Sequence, residues 1–200
     1  MAFTNLGGTP ETLRGTTGID TLFELDSTEG LFVEGLAGND SMTFAPFGNQ
    51  LKNSTVYGNA GNDTISVTIT NGAASLVSSL VQGAAGNDTI TVQDYVSSAT
   101  VRGGAGTDTL TISNALSGVI NGNKGQDTIR VNGGTYDDSN IYGGADADNI
   151  TITANTIFTD GTINGNKGND VIVDDGTGIT TLRNATVFGG QGDDTITLNG

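Results

Sequence analysis

The chain contains no cysteine, no histidine and no tryptophan, and has only two prolines in 200 residues. Without cysteine there is neither a disulfide framework nor a thiolate metal site. Without histidine, the commonest general base and the usual zinc and copper ligand are missing. Cations are scarce too: 7 Lys and Arg stand against 22 Asp and Glu, for a formal charge of −15. That balance excludes nucleic acid, whose phosphates require Lys and Arg, and it disfavours anionic lipid surfaces. No apolar run approaches the ~18 residues of a transmembrane helix, so no membrane insertion is expected. Met1–Pro10 has neither a basic start nor an apolar stretch, and no cleavable signal peptide is visible.

What is abundant is glycine, 32 residues, and aspartate, which supplies eighteen of the acids against four glutamates. Asp is the shorter carboxylate, suited to tight turns and to oxygen-ligand metal loops. The glycines are not scattered. The pattern G-x-x-G-x-D, followed by Thr and an aliphatic residue, recurs as GNAGNDTI from Gly58, GAAGNDTI from Gly83 and GGAGTDTL from Gly103, with six in-phase relatives. Its closing aspartates are Asp20, Asp40, Asp63, Asp88, Asp108, Asp127, Asp148, Asp170 and Asp194. They lie 19 to 25 residues apart, so one coil takes about 22 residues.

Side-chain alternation supplies the strands. Two residues after each Asp stands an aliphatic row, among them Ile65, Ile90, Leu110 and Ile129. Two residues before the first glycine of turns two to nine stands another, including Val56, Val81, Val101 and Ile120. Period-2 alternation with β-branched residues reads as strand, and a one-residue slip would turn the aliphatics outward. Each coil is therefore expected to be strand, Gly-Asp turn, strand and variable return loop. One such pair cannot bury its apolar face alone, so coils must stack. The expected fold is all-β: a right-handed parallel β-solenoid (β-roll or β-helix) of about nine coils. Residues 1–14 are read as an N-terminal segment or cap and 15–200 as one solenoid domain. That domain stops at Gly200 just after a strand, so continuation in a longer protein or a filament is expected.

From Gly15 to Leu198 the sequence resembles the hemolysin-type (RTX-like) calcium-binding repeat family. The resemblance implies a calcium ion between turns of successive coils, held by backbone carbonyls and by the closing aspartates, Asp20 through Asp194. Nine turns leave eight gaps, so about seven or eight Ca²⁺ per chain are expected. Such ions would bring the charge close to neutral, and folding coupled to metal binding is expected, with a largely disordered apo chain. The family's usual repeat lies at both edges of the roll. Here one edge carries it, which predicts a single row of ions. Asp146 stands where the turn from Gly143 should have glycine, and the first turn has Ile19 before Asp20 without a clear upstream strand.

The resemblance extends to bacterial S-layer proteins, oscillin-like surface proteins and adhesin stalks. It implies a secreted or cell-surface structural module, exported by a type I-like route. Its partners would be calcium, further copies joined head to tail or laterally, or other surface components. Two other functions compete. Thr-x-Thr pairs such as Thr89 and Thr91 suggest ice binding, but Arg130, Asn149, Val171 and Val173 interrupt the array. A polysaccharide-modifying β-helix enzyme would need acids, bases and cations gathered in a groove, and 7 dispersed cations without histidine offer none. The pairs Asp137–Asp138 and Asp174–Asp175 read as solvated return-loop acids, and Tyr57, Tyr142 and Phe188 as outward-facing aromatics.

Overall fold

The computed structural model describes residues 4–6, 11–23, 29–45, 51–68, 76–93, 95–114, 116–153, 155–175 and 180–199. Every regular element among them is a β-strand, and the pairing is parallel apart from one strand, Thr4–Asn5, antiparallel to Thr12–Arg14. The chain winds as a parallel β-solenoid. Strands that follow the Gly-Asp turns, such as Thr64–Thr68, Thr89–Gln93 and Thr109–Ser113, stack into one nine-stranded sheet. Strands that lead into the turns, such as Thr55–Ala60, Leu80–Ala85 and Asn140–Ala145, form a second stack.

The return segments differ from expectation. Rather than loops, they contribute a third parallel stack that includes Leu51–Lys52, Leu76–Val77, Gly134–Asp137, Thr156–Thr159 and Thr181–Arg183. Val96–Ala105 and Leu116–Lys124 run through the corner between the second and third stacks, joining them into a 15-stranded sheet. Among the described residues complete turns number about 7, against the expected nine. The cross-section is thus three-sided and encloses more apolar volume than two facing strands could.

Alternation sets which residues meet in that core. Within Thr89–Gln93 the burial pattern reads exposed, buried, intermediate, buried, exposed. Ile90 is therefore fully enclosed between Ile65 and Leu110, its partners in the neighbouring coils, and Val92 between Val67 and Ile112. The turn-leading stack adds Val56, Val81, Val101 and Ile120, and the return stack adds Leu51, Leu76 and Val96. Two aromatics join the core in the return stack of the sixth and seventh coils. Tyr136 and Phe158 stack at 6.1 Å between centroids, and the Tyr136 hydroxyl donates to the Ile112 carbonyl at 3.0 Å. Thr12–Arg14 supplies the upstream strand of the first turn, which the sequence pattern did not reveal, with Leu13 buried opposite Val33.

Candidate metal-binding turns

Each Gly-Asp turn folds its aspartate inward. From Asp20 to Asp170 these side chains are no more than 2% exposed. The turn is tight enough to demand glycine at two places. At Gly86, φ is +127° and a Cβ would strike the carbonyl oxygen of Gly61 in the preceding coil. At Gly83, the first glycine, a Cβ would collide with the carboxylate of Asp88 in its own turn. The missing Cβ makes room for the inward aspartate.

The aspartates form a continuous inner ladder. The backbone N–H of each one donates to the Oδ1 of the aspartate one coil later, from Asp20 to Asp40 through to Asp170 to Asp194, at 2.7–2.9 Å. The other oxygen has no such partner. Oδ2 of Asp40, Asp63, Asp88, Asp108, Asp127, Asp148 and Asp170 is buried without a hydrogen bond. An orphaned carboxylate oxygen in a sheltered site is costly. The acidities register it: burial pushes the carboxyls of Asp88, Asp127 and Asp148 up to about 7, and that of Asp63 to about 6. Like charge on neighbouring rungs adds to the effect in all four. Asp40, Asp108 and Asp170 move the same way, also through burial.

The surroundings of these oxygens suit a hard cation. Beside the Gly35 Cα lie Asp40 Oδ2 and the Gly58 carbonyl oxygen of the next coil, both in space a side chain would fill. The same pairing recurs at Gly58 with Asp63 and Gly83, at Gly122 with Asp127 and Gly143, and at Gly143 with Asp148 and Gly165. Carboxylate and carbonyl oxygens are the donors that Ca²⁺ takes. Among the described residues no three acidic side chains converge on one point. Beside each carboxylate the turns offer backbone carbonyl oxygens as further donors, as at Gly58, Gly83, Gly143 and Gly165.

Two turns depart from this arrangement. In the first, Thr16 donates its backbone N–H at 2.6 Å and its hydroxyl at 2.8 Å to Asp20 Oδ2. Those bonds, the backbone one foremost, hold the Asp20 carboxyl below the usual range, so this rung does not share the need of the others. In the seventh turn, Asp146 adopts φ +78° and adds its charge near Asp127 and Asp148.

A second ladder runs along the outside of the turns. Asn39, Asn62, Asn87 and Asn169, each just before the closing Asp, accept through Oδ1 from the backbone N–H one coil later at 2.8–2.9 Å. The sequence reading passed over this slot, although asparagine recurs in it. It also missed the opposite corner. There Asn53, Ser78, Ser98, Asp138, Asp160 and Asn184 take positive φ between 47° and 54°. All six stand three residues before a core aliphatic, a spacing visible in the chain. Serine hydroxyls close that corner: Ser54 N–H donates to Ser79 Oγ at 3.0 Å. Asp174 also corrects the reading of its pair as solvated, being 2% exposed at the register position of Ile152, while Asp175 pairs with Arg130 at 3.5 Å.

Comparison with known proteins is consistent with this geometry. The family model described as the RTX calcium-binding nonapeptide repeat (4 copies) matches residues 52–67 and 180–200. Neither curated proteins nor solved structures gave a match. The matched stretches include the turns closed by Asp63 and Asp194, whose construction recurs throughout the solenoid. This chain is a β-solenoid in which residues 52–67 and 180–200 match the RTX calcium-binding nonapeptide repeat.

Proposed function

We propose that the chain is a structural module of a secreted or cell-surface protein, such as an S-layer, a surface filament or an adhesin stalk, rigidified by a single row of Ca²⁺. One observation carries the reading: a buried carboxylate oxygen recurs in seven successive turns with no protein partner. Asp40, Asp63, Asp88, Asp108, Asp127, Asp148 and Asp170 are the proposed carboxylate ligands, with Asp194 at the end of the row and Asp20 the weakest member. Bound calcium would supply the positive charge that the ladder lacks. Because RTX repeats occur in secreted bacterial proteins, and calcium is plentiful outside cells and scarce within, folding would follow export.

The role is structural rather than enzymatic, since the acids are enclosed in the ladder rather than gathered in a groove with bases. Thr4–Asn5, laid antiparallel along Thr12–Arg14, would cap the edge of the first coil. Self-association, head to tail or lateral, belongs to the same reading, since stacked coils pair through strand edges. Calorimetric titration with calcium, followed by circular dichroism, tests the central claim. A coil-to-β transition with about seven or eight ions is expected; a chain already folded at neutral pH that binds no calcium would refute it.

A further inference from the structure

The outward face of the turn-leading stack is unlike the rest of the molecule. In a chain with 22 acids, its two outward rows carry no carboxylate from Thr55 in the third coil to Phe188 in the last. The preceding coil does present Glu34, but Arg14 neutralises it. The nearest acids of the later coils lie just off the strip: Asp138 and Asp160 at the positive-φ corner, and Asp146 in the turn, one residue past Ala145, the register partner of Lys124 and Lys167. Three cations lie on or beside the face: Arg102 on the sheet, and Lys124 and Lys167 at the turn edge, all exposed. Among the described residues none of the three makes an ion pair, whereas Arg14, Lys52 and Arg130 each do.

The remaining side chains complete a recognisable chemistry. One row in strict register presents Tyr57, Gln82, Arg102, Asn121, Tyr142 and Asn164, one per coil. Amides can donate to and accept from hydroxyls, and aromatic faces suit the C–H faces of sugar rings. A shallow groove of ≈ 270 Å³ crosses the middle of this row and brings Gln82, Arg102 and Lys124 together. The coil rise is about 4.8 Å, so Arg102 and Lys124, one coil apart, and Lys124 and Lys167, two coils apart, lie about 5 and 10 Å apart along the axis. Such sparse cations suit a polymer bearing occasional carboxylates between hydroxyl-rich residues. They fall short of what a phosphate at every unit requires, and the polar rows lack the apolar centre of a protein interface.

From this segregation of charge we infer that the face binds an acidic, uronate-bearing polysaccharide laid along the solenoid axis. Arg102, Lys124 and Lys167 meet its carboxylates, and the tyrosines and amides meet its sugar faces and hydroxyls. The full chain, saturated with calcium and shown folded by circular dichroism, would be titrated with hyaluronan fragments and, separately, with neutral cellodextrins. Hyaluronan should bind, more weakly as salt is raised. Arg102→Ala with Lys124→Ala should weaken it about tenfold, and Tyr142→Ala should weaken it at any salt. Arg183→Ala, on the return face, should change nothing. No binding by the folded chain, equal binding of the neutral polymer, an unaffected double variant or an equal loss in Arg183→Ala would each overturn the inference.

Discussion

Removing calcium should make this protein prefer acid. Asp88, Asp127 and Asp148, with carboxyls raised from 3.8 to about 7 by burial, and Asp63, raised to about 6, bind protons in the folded chain at pH values where the unfolded chain has released them. Their contribution is therefore fully present below pH 3.8 and disappears as pH rises through about 6 to 7. Moving one carboxyl that far corresponds to roughly 4 kcal/mol at most, and allowing for solvent screening leaves on the order of 2 kcal/mol each. Four such groups rival the roughly 5–15 kcal/mol that separates most folded domains from their unfolded chains. In chelator, far-ultraviolet circular dichroism and thermal melting between pH 4.5 and 8 should show a β-solenoid that is most stable at the acid end and lost near neutrality. Calcium should restore it at pH 7.5. A chelated chain that is more stable at pH 8 than at pH 5 would refute the reasoning, because the inner oxygens would then have partners other than a proton or a cation.

Several substitutions separate the ladder from its charge. Asp88→Asn keeps the Oδ1 acceptor for the Asp63 N–H and removes the charge. It should raise the melting temperature of the metal-free chain at pH 7 while lowering the calorimetric calcium stoichiometry. Gly83→Ala places a Cβ against the Asp88 carboxylate and should cost about 2–4 kcal/mol in calcium-saturated denaturant titrations. Tyr136→Phe leaves the Ile112 carbonyl without its donor and should cost about 1 kcal/mol without altering calcium binding. Thermal hysteresis should be absent with calcium present, since Arg130, Asn149 and Val171 break the outward threonine row in the register seen in the structure.

The two strands flanking each turn were legible because their signal is local: an aliphatic residue at fixed distance from Asp or Gly, repeated in phase. The return strands were not. Their lengths vary, and Leu51–Lys52 and Leu76–Val77 contribute only two paired residues each. No window around them shows alternation long enough to count as a strand. They exist because the stacked neighbours exist. Tyr136 belongs to a row that begins with Leu51 and continues through Leu76, Val96 and Phe158, residues alike only in facing the same core. The aspartates were legible as a recurring turn position, but not as a hydrogen-bonded ladder. That property depends on the Oδ1 of one coil lying beside the N–H of the coil before it, a relation that no single repeat contains.

The contrast between the two ladders bears on why the inner one is acidic. Linking coils through Oδ1 needs no charge: the exposed slot does so with Asn39, Asn62 and Asn87, at distances matching those of the inner row. If support between coils were the whole requirement, asparagine inside would provide it without buried charge, and its amide would replace the orphaned oxygen with a donor. Instead every one of the nine inner positions is aspartate, the residue that makes the folded state most costly at neutral pH. Such a row is stable only when something positive accompanies it. The same seven carboxylates, Asp40 through Asp170, that would hold the chain open without a cation would then hold it closed with one. A switch of that kind, set by the metal content of the surroundings, is what the uniform choice of Asp over Asn supports.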